Sequence, residues 1–204
     1  MFDPRRLLSI SSVYSSFQAY VRNDNTMVRM RDEFLKIAPG QRVLDIGCGP
    51  AEILAYLPDE VEYHGYDAEA NYINAARVRY GNRGSFVVKA VSPDAVDDIG
   101  TFDVVMSLAC LHHLTDGEAD TLFASAAKLL RPGGRVVTLD CAYIEGQNPI
   151  ARLLAALDRG NHVRAPEGYA SLARGHFQQV NVSVLHDLLA VPYTHCILEA
   201  RSPR

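Results

Sequence analysis

The sequence predicts an α/β protein built on one doubly wound, seven-stranded sheet with helices on both faces. Strand-like segments alternate with helical ones along most of the chain, and a short connection joins the last two strands. Five β-branched, apolar segments have the character of parallel strands that are buried on both faces, and they lie at residues 42–46, 61–66, 85–91, 102–107 and 134–140. Helical segments between most of them supply the crossovers that parallel strands require.

Two of the intervening segments are clearly helical. The first runs from Asn71 to Tyr80 and is closed by Gly81. The second runs from Gly117 to Leu130, and Pro132-Gly133-Gly134 then stops it. Its apolar residues recur at helical spacing along one face, at Ala119, Leu122, Phe123, Ala126, Ala127 and Leu130. Such a face packs against a sheet.

The last two strands are predicted at residues 179–185 and 193–200. A parallel crossover needs roughly a dozen residues or more, and the connection between these strands is shorter than that. The final strand should therefore run antiparallel to its neighbour in an otherwise parallel sheet.

Length and composition are typical of one globular domain. The chain has 204 residues, which is enough for a substantial core, and its net charge of −4 argues against a nucleic-acid partner. It has no apolar run of about 18 residues, so we expect no membrane span, and its N-terminus does not have the pattern of a secretory signal. The four cysteines are widely spaced, so we expect reduced thiols in a cytoplasmic protein.

A glycine-punctuated turn follows the first strand, in Leu44-Asp45-Ile46-Gly47-Cys48-Gly49-Pro50. Glycines let a backbone turn sharply and approach a ligand closely. Asp67 follows the second strand, 20 residues after Gly47, where a carboxylate can hold the hydroxyls of a ribose. The pattern predicts a site for a nucleoside cofactor beyond the carboxyl ends of the strands.

The turn differs from that of a dinucleotide-binding dehydrogenase. The third glycine of that fingerprint would stand three residues after Gly49, where this chain has Glu52. A carboxylate at the start of the following helix would repel a pyrophosphate. Asp45 suits a cationic ligand instead, such as a sulfonium nucleoside.

Four segments in register are similar to the motifs of class I S-adenosylmethionine-dependent methyltransferases, in the small-molecule branch that includes ubiquinone-biosynthesis-type enzymes. They are the turn from Leu44 to Pro50, Gly65-Tyr66-Asp67, the run from Phe102 to Leu114, and Leu129 to Val136. The resemblance covers about Gln41 to Asp140. It implies a Rossmann-like sheet and S-adenosylmethionine as cofactor.

The resemblance also implies where the cofactor binds. The candidate contacts are Asp45, Gly47, Cys48, Gly49, Asp67, Ala68, Ala90, Val91, Ser107, Leu108 and Tyr14. Two positions depart from the family pattern: Ala51 replaces a usual glycine and brings a methyl group toward the ligand, and Ala90 stands where an acid often lies near the adenine. Residues 1–40 are expected to form a helical lid, and residues 41–204 the methyltransferase domain.

The implied reaction moves a methyl group to an oxygen, nitrogen or carbon atom of a small-molecule acceptor. If the nucleophile must lose a proton, His113 or His186 is the candidate base. The basic segment after the fifth strand has two interpretations: it binds an anionic acceptor, or it is a solvated helix face. Candidate acceptor contacts are Tyr143, Arg152, Arg164, Tyr169 and Tyr193.

Three alternatives bear on this reading. Metal-dependent catechol-type enzymes need several acids near strands four and five, and only Asp140 is available there, so no metal is predicted. A nicotinamide-dependent oxidoreductase would use Asp67 but conflicts with Glu52 and Asp45. A catalytically silent subunit that binds S-adenosylmethionine is compatible with Ala51 and Ala90.

Overall fold

A computed structural model describes residues 24–90, 99–158 and 160–204 and shows one seven-stranded sheet. The strands are β1 (Arg42–Ile46), β2 (Glu62–Asp67), β3 (Gly84–Val88), β4 (Phe102–Leu108), β5 (Leu130–Cys141), β6 (Phe177–Leu185) and β7 (His195–Pro203). Their order across the sheet is β3-β2-β1-β4-β5-β7-β6. The first five pair in parallel, whereas β7 runs antiparallel to both β5 and β6. The predicted fold class and the antiparallel final strand are confirmed.

Helices cover both faces of the sheet. They are α1 (Asp24–Arg29), continued by a π-helical turn (Met30–Leu35), α2 (Ala70–Tyr80), α3 (Asp116–Leu129), α4 (Pro149–Leu157) and α5 (Pro166–Arg174). Helices α3 and α5 pack on one face of the sheet, around Phe123 and Phe177. The π-helical turn and α2 pack on the other, around Leu35 and Ile73. Each face therefore has its own apolar core.

The end of the predicted lid belongs to the core of the domain. Met30 and Leu35 are buried against the sheet, and Thr26 donates a hydrogen bond to the carbonyl of Leu188. The Leu35 carbonyl accepts a hydrogen bond from Arg135 in β5. Residues 24–37 thus cross one face of the sheet, so the boundary predicted at residue 40 is corrected. Tyr14 and the rest of residues 1–23 lie outside the described residues.

Two strand boundaries also differ from the prediction. Strand β3 ends at Val88, three residues before the predicted end. Strand β5 begins at Leu130, because Leu130 pairs with Phe102 before Pro132-Gly133-Gly134 bulges out and pairing resumes at Arg135. The Pro-Gly-Gly segment therefore interrupts the strand rather than separating it from the helix, with Gly133 at φ 79°.

Candidate functional site

The direction of strand order reverses between β1 and β4. Strand β1 has β2 and β3 on one side and β4 and β5 on the other, so its neighbouring loops diverge at the carboxyl ends. Ligands of open α/β sheets bind in such a crevice. Here the crevice is bounded by the glycine turn after β1, by Asp67 at the end of β2 and by the loop after β4.

The two glycines of the turn are needed for different reasons. Gly47 and Gly49 both have positive φ, at 73° and 53°. A Cβ on Gly47 would lie 2.5 Å from the Sγ of Cys110, whereas a Cβ on Gly49 would meet no atom of the described residues within 4 Å. Because Gly47 has no side chain, the loop after β4 can approach the turn. Because Gly49 has none, space remains open beside the turn.

Asp67 ties the second strand to the glycine turn. Its Oδ2 accepts a hydrogen bond from the Gly49 N–H at 2.8 Å, and its Oδ1 accepts one from the Glu69 N–H at 2.8 Å. Each carboxylate oxygen has a further lone pair with which to accept a ribose hydroxyl. The carboxylate is thus held in place by backbone N–H groups on either side of it.

Asp45 is a buried carboxylate beneath the turn. Its side chain is 2% exposed, and its Oδ2 accepts a hydrogen bond from the Tyr63 hydroxyl at 2.6 Å. Among the described residues, Oδ1 has no hydrogen-bond partner. Burial raises the pKa of Asp45 to about 7, the Tyr63 hydrogen bond opposes this shift and the charge of Asp67 adds to it. A group carrying positive charge would stabilise the ionised form, so the site fits a cationic ligand.

Ala51 differs from its prediction. It is fully buried in the core, so its methyl group points away from solvent rather than toward a ligand, and its φ of 56° is left-handed. It precedes a 3₁₀ helix of only five residues, Glu52–Tyr56. The short helix offers a weaker N-terminal anion site than a regular α-helix, which further disfavours a pyrophosphate.

The remaining cofactor candidates fall into three groups. Ser107 is buried and donates a hydrogen bond to the Ile46 carbonyl at 2.9 Å, so it ties β4 to β1, while Leu108 is half-buried. Ala68 and Ala90 are exposed beyond the ends of β2 and β3. Val91 lies outside the described part of the chain.

Cys48 contributes backbone rather than thiol chemistry. Its N–H and that of Gly47 donate to the Tyr66 carbonyl at 3.0 and 2.7 Å. Burial raises the pKa of its thiol far above the usual range, and the nearby carboxylates Asp45 and Asp67 add to the shift. Such a thiol is a poor nucleophile.

A buried histidine that was not among the candidate site residues lies in the loop after β4. His112 Nδ1 lies 2.8 Å from Asp140 Oδ1, and its Nε2 lies 3.5 Å from Asp158 Oδ1. Burial opposes a charge on the ring, but the two carboxylates outweigh it and raise the pKa of His112 to about 9. Tyr193, a predicted acceptor contact, donates its hydroxyl proton to Asp158 Oδ2 at 3.1 Å. From the sequence alone, the tandem histidines can be recognised, but their carboxylate partners cannot.

The two predicted bases are both exposed but lie apart. His113 is in the loop after β4, with its ring centroid 4.2 Å from that of His112. His186 follows β6, and its Nδ1 lies 3.3 Å from the Thr194 hydroxyl. Strand β6 is three strands from β4, which is about 14 Å at the usual strand spacing. Of the two, His113 belongs to the loop after β4, which bounds the crevice.

Arg164 and Tyr169 are engaged within the fold. The Arg164 guanidinium donates to the carbonyls of Leu111, Leu114 and His162 and to Asp116. These five hydrogen bonds use all five of its N–H groups. Tyr169 is 1% exposed and donates to the Cys141 carbonyl at 2.9 Å. The structure therefore corrects both predictions: these residues brace the loop after β4, and neither presents a group to an acceptor.

Arg152 and Tyr143 form a different kind of pair. Arg152 is exposed, and its guanidinium carbon lies 5.1 Å from the centre of the half-buried Tyr143 ring. Within the described ranges, Arg152 makes no ion pair. Its N–H groups therefore remain available to an anion beyond the end of β5.

A groove of about 750 Å³ lies at the opposite end of the strands from the crevice. It is lined by Arg31, Lys36, Tyr56 and Asp59, among others, near the amino ends of β1 and β2. Because ligands of this fold class bind at the carboxyl ends, we do not assign the candidate site to this groove.

Comparisons with known proteins agree with the geometry. Residues 43–134 match the model of a family described as a methyltransferase domain. A phosphoethanolamine N-methyltransferase of Triticum aestivum is 30% identical over 173 residues, which cover 82% of this chain and 32% of the relative. This chain spans between about a quarter and a half of the length of the first curated relatives it matches.

Solved structures share the fold. The apo S-adenosylmethionine-dependent methyltransferase SibL has a TM-score of 0.73 and 18% identity, covering 94% of this chain and 58% of that one. Phosphoethanolamine N-methyltransferase 2 of Haemonchus contortus, in complex with phosphomonomethylethanolamine and S-adenosylhomocysteine, has a TM-score of 0.69 and 18% identity, covering 90% and 54%.

The sheet order, with the glycine turn and a carboxylate at the end of β2, defines a domain of the Rossmann-like class. Together with the match of residues 43–134 to a methyltransferase-domain family, this fold confirms the resemblance to S-adenosylmethionine-dependent methyltransferases that the sequence predicted. In the described ranges, none of the helices has the length and apolar character needed to cross a membrane.

Proposed function

We propose that this protein transfers a methyl group from S-adenosylmethionine to an oxygen, nitrogen or carbon nucleophile of a small molecule. The observation that carries the proposal is the hydrogen bond between the Gly49 N–H and Asp67, which joins the glycine turn and the ribose-binding acid at the point where strand order reverses. Bound S-adenosylmethionine supplies the electrophilic methyl group.

The protein contributes binding and positioning. Asp67 holds the ribose hydroxyls, Asp45 favours the positive charge of the cofactor, and Gly49 leaves room for it beside the turn. Because a sulfonium is already a reactive methyl donor, holding the acceptor in line with it supplies much of the rate acceleration.

We further propose that the acceptor carries an anionic group that Arg152 binds. The exposed guanidinium stacks on Tyr143 beyond the end of β5 and makes no ion pair in the described part of the chain. A planar guanidinium recognises carboxylate and phosphate through paired hydrogen bonds. The naming of several relatives as phosphoethanolamine N-methyltransferases supports a phosphate-bearing acceptor.

A base is needed only when the nucleophile keeps its proton at neutral pH. His113 then is the candidate, because it belongs to the loop after β4, which bounds the crevice, whereas His186 is three strands from β4. We expect His113→Ala to lower kcat with little effect on cofactor affinity, and His186→Ala to leave both unchanged.

Two other functions are less well supported. A nicotinamide-dependent oxidoreductase would place a pyrophosphate beside Glu52, at a helix of only five residues. A silent cofactor-binding subunit would share the cofactor site but show no turnover, so binding measurements alone do not separate it from an enzyme.

The first experiment is isothermal titration of one preparation with S-adenosylmethionine, S-adenosylhomocysteine and NAD. We expect micromolar binding of both sulfur nucleosides and none of NAD. Asp67→Ala should abolish the binding. Asp59 is an exposed acid near the amino ends of the strands, so Asp59→Ala should not change the binding. NAD binding without the sulfur nucleosides would refute the proposal.

The second experiment measures S-adenosylhomocysteine release with amines, alcohols and phenols that do or do not carry a phosphate or carboxylate. We expect turnover only with anionic acceptors, and an increased KM in Arg152→Gln. Cofactor binding without turnover on any of these acceptors would favour the silent subunit instead.

A further inference from the structure

We propose that His112, His113 and Asp158 form a binding site for a divalent transition-metal ion. One ligand atom from each residue lies within 4.8 Å of the others. Two imidazoles and one carboxylate suit zinc, iron, cobalt or nickel, whereas magnesium and calcium prefer oxygen ligands alone. The site lies in the loop after β4 and at the end of α4, and it does not depend on methyl transfer.

The spacing within the cluster has room for a bound metal ion. His112 Nε2 and Asp158 Oδ1 are 3.5 Å apart, which is long for a hydrogen bond between nitrogen and oxygen. Ligands about 2.0–2.1 Å from a tetrahedral zinc ion lie about 3.4 Å from each other. The observed separation therefore matches one edge of a coordination tetrahedron.

Neighbouring groups orient two of the proposed ligands. Asp140 Oδ1 lies 2.8 Å from His112 Nδ1, so the Nε2 of His112 is the nitrogen left to face an ion. Tyr193 donates to Asp158 Oδ2 at 3.1 Å and the Gly160 N–H donates to Oδ1 at 3.4 Å, so the carboxylate is held with Oδ1 facing His112. Histidines that bind metal commonly place their second ring nitrogen against a carboxylate in this way.

The backbone closes one side of the cluster and leaves the other open. Gly160 passes so close to the His112 ring that a Cβ there would overlap it. His113, by contrast, is exposed, so an ion can enter from solvent and keep a coordination position for water or an oxygen ligand. Coordination would use a ring nitrogen of His113. In a molecule that holds the metal ion, His113 therefore does not act as a base at the same time.

The sequence predicted no metal because only Asp140 was found near strands four and five. Asp158 follows α4 and is 45 or more residues from the tandem histidines along the chain, so no local pattern links it to them. Folding brings the three residues together.

The test is titration of the chelator-treated full chain with Zn²⁺, in the absence of S-adenosylmethionine and of any acceptor. Co²⁺ serves as a second probe, because its absorption reports the coordination geometry. We expect one Zn²⁺ per chain and a tetrahedral Co²⁺ spectrum. His113→Ala and Asp158→Asn should each weaken Zn²⁺ binding about tenfold or more, and Tyr193→Phe should weaken it less.

His176→Ala is the matched control. His176 Nε2 also lies close to a carboxylate, 2.7 Å from Asp120, but at the surface and outside the cluster. This variant should bind Zn²⁺ like the wild type. Equal Zn²⁺ affinity in wild type and His113→Ala, or no stoichiometric binding, would overturn the proposal. Because His113 is exposed, His113→Ala should fold normally, and thermal unfolding in the absence of metal checks that it does. The test therefore does not depend on Asp158→Asn.

Because the titration contains neither cofactor nor acceptor, its result is separate from the proposed activity. Absence of Zn²⁺ binding to the wild-type chain, with methyl transfer intact, would refute the metal site alone. Zn²⁺ binding without any methyl transfer would refute the proposed activity alone.

Discussion

Replacing each glycine of the turn by alanine should have different consequences for stability and for cofactor binding. Both glycines have positive φ, so either substitution forces alanine into the left-handed region, which costs about 1–2 kcal/mol. Only at Gly47 would the new methyl group also meet Cys110, with 2.5 Å to its Sγ and 2.9 Å to its Cβ.

Overpacking of a close contact adds about 1–3 kcal/mol to the cost. Gly47→Ala should therefore lower the free energy of unfolding by about 2–5 kcal/mol, and Gly49→Ala by about 1–2 kcal/mol. Adding Cys110→Ala to Gly47→Ala should restore part of the loss, because it removes the Sγ but keeps the Cβ at 2.9 Å.

Urea unfolding monitored by circular dichroism measures these differences, with an unchanged m-value as the check on two-state behaviour. Titration with S-adenosylmethionine completes the comparison. The proposed cofactor lies in the open space beside Gly49, so Gly49→Ala should lose about tenfold in affinity while remaining the more stable variant. If Gly47→Ala proved as stable as Gly49→Ala, the close approach of Cys110 would be refuted.

Three further predictions concern buried charge, the Arg164 clamp and the thiols. The folded-state pKa of Asp45 is raised from 3.8 to about 7, so the folded protein holds a proton that the unfolded chain releases. The free energy of unfolding should fall as pH rises from about 4 to 7, by at most about 1.4 kcal/mol per pH unit. Urea unfolding across this pH range should show this decrease in the wild type and a smaller decrease in Asp45→Asn. Arg164→Lys should reduce stability by about 2–3 kcal/mol, because an ammonium group cannot replace five fixed donors. For the exposed Arg152, Arg152→Lys should change stability by less than about 1 kcal/mol. Similar thermal unfolding of the two variants would contradict the proposed bracing of the loop after β4 by Arg164. Burial raises the pKa of Cys110, Cys141 and Cys196 to about 12 and that of Cys48 further, so a disulfide reagent at pH 7.5 should label all four rapidly only in denaturant; prompt labelling of the folded chain would show that a thiol is accessible.

Much of the fold was predictable because its signals are local. Apolar β-branched runs predict strands, and the spacing between residues 185 and 193 is too short for a parallel crossover; β7 is antiparallel to both of its neighbours. Errors occurred where pairing partners decide the boundary. Leu130 joins β5 because it meets Phe102, which no pattern within residues 117–134 indicates.

The candidate site was predictable to a different degree on its two sides. Gly47 and Gly49 come just after β1 and Asp67 ends β2, so the rule that parallel strands carry ligands at their carboxyl ends places them together. The acceptor side depends on α4 and on the segment that follows it. Arg164, predicted as an anion ligand, instead uses all its donors on the loop after β4.

By itself, therefore, the sequence determined the strand pattern, the glycine turn and the two acids at the ends of β1 and β2, because each is set by a few consecutive residues. Tertiary structure alone decided that Cys110 approaches Gly47, that Ala51 is buried and that His112 meets Asp140 and Asp158. These contacts join residues far apart in the chain. Their distances follow from how loops pack over the sheet, a property that no local spacing of residue types encodes.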